Sequence, residues 1–271
     1  MTCYNQSKAF EKSCSERVYV SWSGGKDSTA MLLRMLELGE RVDDIYFANT
    51  TLEYPEMYAY INKIKKYVKD NYDKEIITLM PKDSFFKWFY GEWTRGRHKG
   101  IIRGFPRQST HGYCCRELKI NPQNLVRSRM GTVCLGIAYD EQDRKQKGNN
   151  LRYPLIEWKW TEKDCRKYLV EKDLLNPLYL KFKRTGCWLC PKQPLSSLRI
   201  LFRDYPILWK RLKKLEADSP HGFRADYTIA QLEEKFLKEQ SQTKLEVKVD
   251  GTTTDGIPSK TKVLGILPNE L

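Results

Sequence analysis

The chain has 271 residues, 48 of them Lys or Arg and 34 Asp or Glu, for a formal charge of +14. That length can bury a full core, mean hydropathy is low at −0.64, and no long uncharged apolar run or apolar signal core is present, which excludes a helical membrane protein and sets the expectation of a cytoplasmic one without membrane contact. So large a positive balance favours polyanionic partners, nucleotides or nucleic acid, without deciding between them.

Residues 1–16 carry no clear pattern and read as an N-terminal arm. The stretch from Val18 through Trp22-Ser23-Gly24-Gly25-Lys26-Asp27-Ser28 to Thr29 then reads as a short apolar strand, a turn carrying two glycines, and an amphipathic helix, Thr29 to Leu38, stopped by Gly39. A glycine-rich turn between strand and helix is a phosphate cradle: without a Cβ the backbone amides approach an anion closely, and the helix N-terminus adds partial positive charge. Lys26 adds a mobile cation, and Ser23 and Ser28 add hydroxyls. The spacing is not that of a Walker A loop. Asp44 to Asn49 reads as a second buried strand, Pro55 opens a helix to about Asn71, and Glu75 to Leu79 is a third strand. This alternation predicts an α/β fold with a doubly wound, mainly parallel sheet, whose ligand crevice lies at the strand C-terminal ends, where the glycine loop and Asn49-Thr50-Thr51-Leu52-Glu53-Tyr54-Pro55 both sit.

Ser84 to Tyr90 suits a short helix, followed by a glycine-punctuated basic stretch. Arg95, Arg97, Lys99, Arg103 and Arg107 there read either as a mobile polyanion-binding loop or as a plain solvated one, and a lone His98 points to neither catalysis nor metal. Thr132 to Ala138 is another apolar strand, with Cys134 facing the core and Tyr139, Asp140, Glu141 and Arg144 delivered at its end; Asp143 to Asn150 is a surface loop. Thr161 caps a helix containing Asp164 and Cys165, which Asn176-Pro177 breaks. Two amphipathic helices follow, at about Leu195 to Ala217 and Ile229 to Glu239. The expected organisation is an arm (1–16), a nucleotide-binding α/β domain (17–180), a Cys-x-x-Cys segment with a C-terminal helical extension (181–240) and a polar tail (241–271).

Eight cysteines without a secretion signal point to metal or redox chemistry rather than disulfides. Cys3, Cys14, Cys134 and Cys165 are scattered, whereas Cys114-Cys115 are adjacent and Cys187-x-x-Cys190 is a ligand-type pair. Four such thiolates suit a 4Fe-4S cluster, each iron taking one, better than a single Zn²⁺, since adjacent cysteines rarely reach one ion without strain. Zinc and buried or redox-active thiols remain open on the residues alone.

Ser23-Gly24-Gly25-Lys26-Asp27-Ser28 resembles the PP-loop of the ATP pyrophosphatase superfamily. In the same order, Asn49 to Glu56, Cys114 to Lys119, Gly136 to Arg144, Pro154 to Trp158, and Asn176-Pro177-Leu178-Tyr179 through Gly186 to Cys190 resemble the phosphoadenosine phosphosulfate (PAPS) and adenosine phosphosulfate (APS) reductase family, over about residues 17–215. The resemblance implies an adenine nucleotide alpha hydrolase-like fold, with adenosine across the sheet edge and phosphates on the loop. It implies nucleotide binding by Ser23, Gly24, Gly25, Lys26, Asp27, Ser28, Asn49 and Gly136, with Lys26 and Asp27 catalytic and Asp27 assisting the Mg²⁺ of ATP. Its APS reductases and phosphorothioation sulfurtransferases carry a 4Fe-4S cluster on a set that Cys114, Cys115, Cys187 and Cys190 match. PP-loop relatives adenylate an oxygen of tRNA and release pyrophosphate so that sulfur or nitrogen can replace it.

Two departures bear on the activity. Sulfonucleotide reductases attack with a cysteine in a late Glu-Cys-Gly-Leu-His type motif, and no cysteine follows Cys190 here; the arginine expected after Gly136 is replaced in the region of Ala138 and Tyr139. The first expectation is therefore an adenylating, AMP- and pyrophosphate-forming sulfurtransferase-like enzyme with a 4Fe-4S cluster, acting on nucleic acid (tRNA or DNA) with a sulfur-donor or reductant protein as partner. The alternatives are a PAPS/APS reductase using an external thiol, and a nucleotide-binding protein with a structural cluster.

Overall fold

Five short strands, β1 (Val18–Ser21), β2 (Asp44–Ala48), β3 (Ile76–Leu79), β4 (Thr132–Leu135) and β5 (Leu151–Arg152), form one sheet in the order β3-β2-β1-β4-β5. Every neighbouring pair is parallel, with Val20 of β1 opposite Ile45 on one side and Cys134 on the other. This is a computed structural model, and it describes residues 17–106, 112–127, 131–146, 148 and 150–249. The doubly wound parallel α/β fold expected from the sequence is thus the observed one. Its strand order reverses at β1, so the crevice between the C-terminal ends of β1 and β4 is the topological switch point at which such sheets bind ligands.

The helices are α1 (Lys26–Glu37), α2 (Pro55–Tyr72), α3 (Phe85–Tyr90), α4 (Tyr113–Cys115), α5 (Asn121–Val126), α6 (Pro154–Glu157), α7 (Glu162–Glu171), α8 (Leu195–Asp204), α9 (Pro206–Asp218) and α10 (Ile229–Val249). Helix α1 lies in the centre of the core: Ala30, Met31, Leu32, Leu33 and Met35 are fully buried. At roughly 1.5–3 kcal/mol for each large apolar side chain removed from water, this one helix anchors the crevice. It packs beside α7, whose Thr161–Asp164 capping box is present as its spacing predicts. Cys134 is buried and its thiol is pushed up to about 11 by desolvation, in keeping with a core role.

Several boundaries differ from the sequence reading; the last apolar strand, for one, ends at Leu135 rather than Ala138. Helix α1 begins at Lys26 rather than Thr29, because Gly24 takes a left-handed φ of 74° and Gly25 is the N-cap. The expected helix from Leu195 to Ala217 is two, α8 and α9, since Pro206 brings no amide and Tyr205 is turned to φ −131°, ψ 60°. Helix α10 runs past its expected end at Glu239 to Val249. Two compact units are distinguished, 1–230 and 231–271, and the sheet belongs to the first. Among the described residues no helix is long and apolar enough to cross a membrane.

Candidate functional site

The turn after β1 is held by its own hydroxyls. The Ser23 and Ser28 hydroxyls are 2.9 Å apart, the Ser23 amide donates to Ser28 Oγ at 3.2 Å, and Ser28 Oγ donates to the Gly25 carbonyl at 3.1 Å. The Asn176-Pro177 turn clamps it from across the fold: Asn176 Nδ2 donates to the Gly24 carbonyl at 3.3 Å and the Lys26 amide donates to the Tyr179 hydroxyl at 2.9 Å. At the end of β4, Gly136 approaches the start of α1 so closely that a Cβ there would lie 2.6 Å from Ser28 Cα. A side chain at that point would displace the start of α1 and the glycine loop before it.

The Lys26 side chain is not the mobile cation expected. It is 5% exposed, its ammonium 3.0 Å from Asp27 Oδ2 and 3.1 Å from Glu162 Oε2. Burial opposes its charge, but these two carboxylates win and hold its pKa above the ordinary value. Burial pushes the Asp27 carboxyl up, and the nearby charges of Glu162 and Glu141 add to that against the opposing pull of Lys26. Carboxylate oxygens of Asp27, Glu141 and Glu162 all lie within 4.8 Å of one another, and Asp27 Oδ1 is buried without a hydrogen-bond partner. Arg144 and Arg184 pair with Glu141. The resulting pocket, about 230 Å³, is lined by four cations (Lys26, Lys119, Arg144, Arg184) and four carboxylates (Asp27, Glu53, Glu141, Glu162), so its charges balance.

Cys114, Cys115, Cys187 and Cys190 line a second cavity, of about 260 Å³, with Leu52, Leu118 and Leu189 among its apolar walls. Cys114 and Cys115 come from α4, which passes into a π-helical turn, Arg116–Ile120, closed by the Asn121 amide on the Arg116 carbonyl. Cys187 and Cys190 come from a tight turn closed by the Cys190 amide on the Cys187 carbonyl at 3.2 Å. Cys187 Sγ is 3.5 Å from Thr50 Oγ1, and burial, with Glu53 nearby, pushes its thiol up to about 12. The thiols of Cys114 and Cys190 are raised too, the first chiefly by its hydrogen bond to Cys115, the second by burial. A thiol so raised is a poor nucleophile, but one that a metal centre would deprotonate. Among the described residues the group of three or more ligand atoms at single-ion separation is the Asp27, Glu141, Glu162 set and not the cysteines. Four thiols around one cavity are a candidate ligand set for a metal centre.

Lys119, Arg184, Thr185 and Gly186 line both cavities. The Lys119 ammonium is held in its charged form chiefly by the Cys187 side, against the cost of burial. Sequence reading named Lys119, Asn176 and Tyr179 only within family-like segments, without placing them at the site, and did not single out Glu162. The spacing of Lys119 four residues after Cys115 was a usable signal, while Glu162 joins the site only through the packing of α7 on α1.

Not every expected residue is here. Asn49 accepts from the Thr51 amide at 2.9 Å, stabilising its own turn, and does not line the pocket at the glycine loop. Arg95, Arg97 and Lys99 are exposed on a turn away from it, and Arg103 is wedged between Trp88 and Trp93, its guanidinium carbon 5.0 and 5.6 Å from their ring centroids. Main-chain bonds such as Trp93 N to the Ile101 carbonyl at 2.9 Å fold the turn. Arg107 lies outside the described residues.

Comparison with known proteins adds four observations. Residues 17–193 match the family described as phosphoadenosine phosphosulfate reductase domain. An uncharacterized protein of Methanocaldococcus jannaschii is 25% identical over 209 residues, 72% of this chain and 40% of the relative. A second uncharacterized protein of that organism is 24% identical over 253 residues, 84% of this chain and 56% of the relative, so the chain spans about half the length of the curated relatives it matches. A phosphoadenylyl-sulfate (PAPS) reductase from Candida auris, solved as a phosphate complex, superposes with a TM-score of 0.45 and 17% identity over 64% of this chain and 81% of that one.

Proposed function

The chain belongs to the phosphoadenosine phosphosulfate reductase domain family, and from that premise we propose that it is an ATP-consuming enzyme that forms AMP and pyrophosphate, activating an acceptor as its adenylate for sulfur transfer. The observation that carries the reading is the charge balance of the phosphate pocket. Four carboxylates already neutralise its four cations, so a triphosphate brought there is uncompensated unless a divalent cation comes with it. Asp27, Glu141 and Glu162, with the unpartnered Asp27 Oδ1, are suited to hold that ion as Mg²⁺ on the nucleotide.

In the proposed reaction an acceptor oxygen attacks the α-phosphorus, forming a P–O bond while the α–β anhydride breaks and pyrophosphate leaves with the cation. Catalysis needs positioning and charge rather than a side-chain nucleophile. The amides of Gly24 and Gly25 and the hydroxyls of Ser23 and Ser28 orient the phosphates, Lys26 and Arg184 stabilise charge on the leaving oxygens, and Asp27 orients the cation. A sulfur nucleophile, delivered by a donor protein, then displaces AMP.

The cysteine cavity fits a 4Fe-4S cluster on its donor set and size, with Cys114, Cys115, Cys187 and Cys190 as the thiolates and Lys119 offsetting their negative charge. Bound there, it would supply electron transfer or a sulfur-binding iron. The chain's own part is to hold Lys119, Thr185 and Gly186 as the common wall between thiols and phosphates.

The test is turnover of α-labelled ATP in anaerobic protein supplied with bulk tRNA or DNA, with and without Mg²⁺. AMP and pyrophosphate, abolished by EDTA and by Lys26→Ala, are expected; ADP and phosphate, or metal-independent sulfite release from PAPS or APS with thioredoxin, would replace this reading with another. A sulfonucleotide reductase that takes its thiol from a second protein is the reading that family membership alone would favour.

A further inference from the structure

Beside the cysteine cavity lies a larger groove, of about 780 Å³, that the nucleotide reading leaves unused. One wall is the basic turn. Gly96 and Gly100, at φ 76° and 80°, fold it back so that the Gly100 amide reaches the Trp93 carbonyl at 3.0 Å and the Ile101 amide the His98 carbonyl at 3.0 Å. The opposite wall is the Pro220–His221 segment, which Gly104 lets in: a Cβ on Gly104 would lie 2.3 Å from Ser219 Oγ and 2.6 Å from Pro220 Cδ. His221 Nε2 donates to the Phe105 carbonyl at 2.7 Å and locks the two walls together.

The groove's chemistry is basic and aromatic. Arg95, Arg97, Arg103 and Arg116 line it with His98 and His221, and no Asp or Glu is among the described residues that do. Arg95 and Lys99 have no ion pair among the described residues, and Arg116 pairs with Glu117 outside the groove at 2.8 Å. Trp93 leaves 45% of its surface exposed, with one side supported by the Arg103 guanidinium. An exposed indole flanked by arginines is the combination that stacks an unpaired base while its neighbours take the phosphates. An acidic peptide would use the charges and leave the indole face unused.

The groove is also aimed at the thiols. In the single run from Gly112 to Arg116, Tyr113 and Arg116 line the groove while Cys114 and Cys115 line the cysteine cavity, and Pro106 borders both. We infer that the groove binds a single-stranded nucleic acid segment, with a base stacked on Trp93 and its phosphates on Arg95, Arg97 and Arg116. Binding rests on the groove's own residues; the further point that this strand is the acceptor rests on the adenylation reading above.

The experiment measures binding of fluorescein-labelled U and dT oligonucleotides of about 20 nucleotides by anisotropy across a salt series, without ATP. Trp93→Ala should weaken binding about fivefold or more with little change in salt slope, and binding should quench Trp fluorescence in the wild type. Arg95→Ala/Arg97→Ala, both exposed and remote from the core, should flatten the plot of log K against log salt by about 1.4, roughly 0.7 for each lost phosphate contact. The U and dT arms tell RNA from DNA. Equal binding by wild type and the double variant, or equally effective competition by polyglutamate, overturns the inference. Lys26→Ala should bind the oligonucleotides normally, so a failure of ATP turnover leaves this result standing and separates the two proposals.

Discussion

Replacing Gly136 with alanine puts the geometry of the crevice to a direct test. The added Cβ would lie 2.6 Å from Ser28 Cα, 2.7 Å from Ser28 N and 3.1 Å from the Asp27 carbonyl carbon, all main-chain atoms of the first turn of α1. Ordinary contact begins at 3.4 Å, so the helix start or the β4 end must retreat by about 0.8 Å, and neither can turn a side chain aside to absorb it. Overpacking of this kind costs about 1–3 kcal/mol, which for a unit of this size lowers the melting temperature by about 2–12 °C. The same shift would move the Ser28 amide and hydroxyl off bound phosphates, and since a hydrogen bond to a charged group is worth about 1.5–3 kcal/mol, ATP affinity should fall about tenfold or more. Thermal melts and calorimetric titration with ATP and Mg²⁺ measure both. Gly186, which also borders the pocket but whose added Cβ would meet nothing within 4 Å, is the control, and Gly186→Ala should stay within about 0.5 kcal/mol in stability. A Gly136→Ala protein that melts and binds ATP like the wild type would refute the close approach of β4 to α1.

The Asp27 carboxyl titrates above its ordinary value of 3.8 because burial and neighbouring carboxylates disfavour its charge. A raised acid contributes stability while protonated and loses it as pH rises through its native pKa, so Asp27→Asn should raise the melting temperature of the nucleotide-free protein at neutral pH. That gain should shrink as pH falls toward 3.8, and the variant should lose ATP turnover; destabilisation at neutral pH would contradict the assignment. Asn176→Ala removes both the bond to the Gly24 carbonyl and the cap on the Leu178 amide at a fully buried position. It should cost about 1–3 kcal/mol in urea denaturation and loosen ATP binding, whereas a change below about 0.5 kcal/mol would show that the loop holds itself. Protein purified without oxygen should be brown with about four irons per chain, and Cys187→Ala should bleach it; stoichiometric zinc without iron would rule out the cluster.

The strand, loop and helix from Val18 to Glu37 were legible because everything that makes them is contiguous: an apolar run, two glycines and a helical period. The same holds for Pro55 opening α2 and for the capping box at Thr161. The cysteine set was legible as a set through its two pairings and the family resemblance. Less readable was the segment from Tyr113 to Val126, whose helical turns carry little periodicity, and β5, whose two residues gain strand form only by pairing with Val133 and Cys134. The Asn49 side chain, expected to face a nucleotide, accepts from the Thr51 amide in its own turn, a local bond that an asparagine at a sheet edge makes readily.

Local chemistry in the sequence by itself determined the anion cradle, the parallel α/β pattern and the four candidate thiols. Tertiary structure alone decided their relation. Only the reversal of strand order at β1 brings the ends of β1 and β4 together, so that Glu141 after β4 and Glu162 on α7 close on Asp27 and turn Lys26 from a mobile cation into a paired one. Only the packing of α4 and its π-helical turn against the Cys187–Cys190 turn sets thiols some seventy residues apart around one cavity and places Lys119 in the wall it shares with the pocket at the glycine loop. The physical reason is that backbone turns and periodicities act over a few residues, whereas a charge or thiol acquires its partner, and with it its pKa and its use, from whatever the crossovers of the sheet carry beside it.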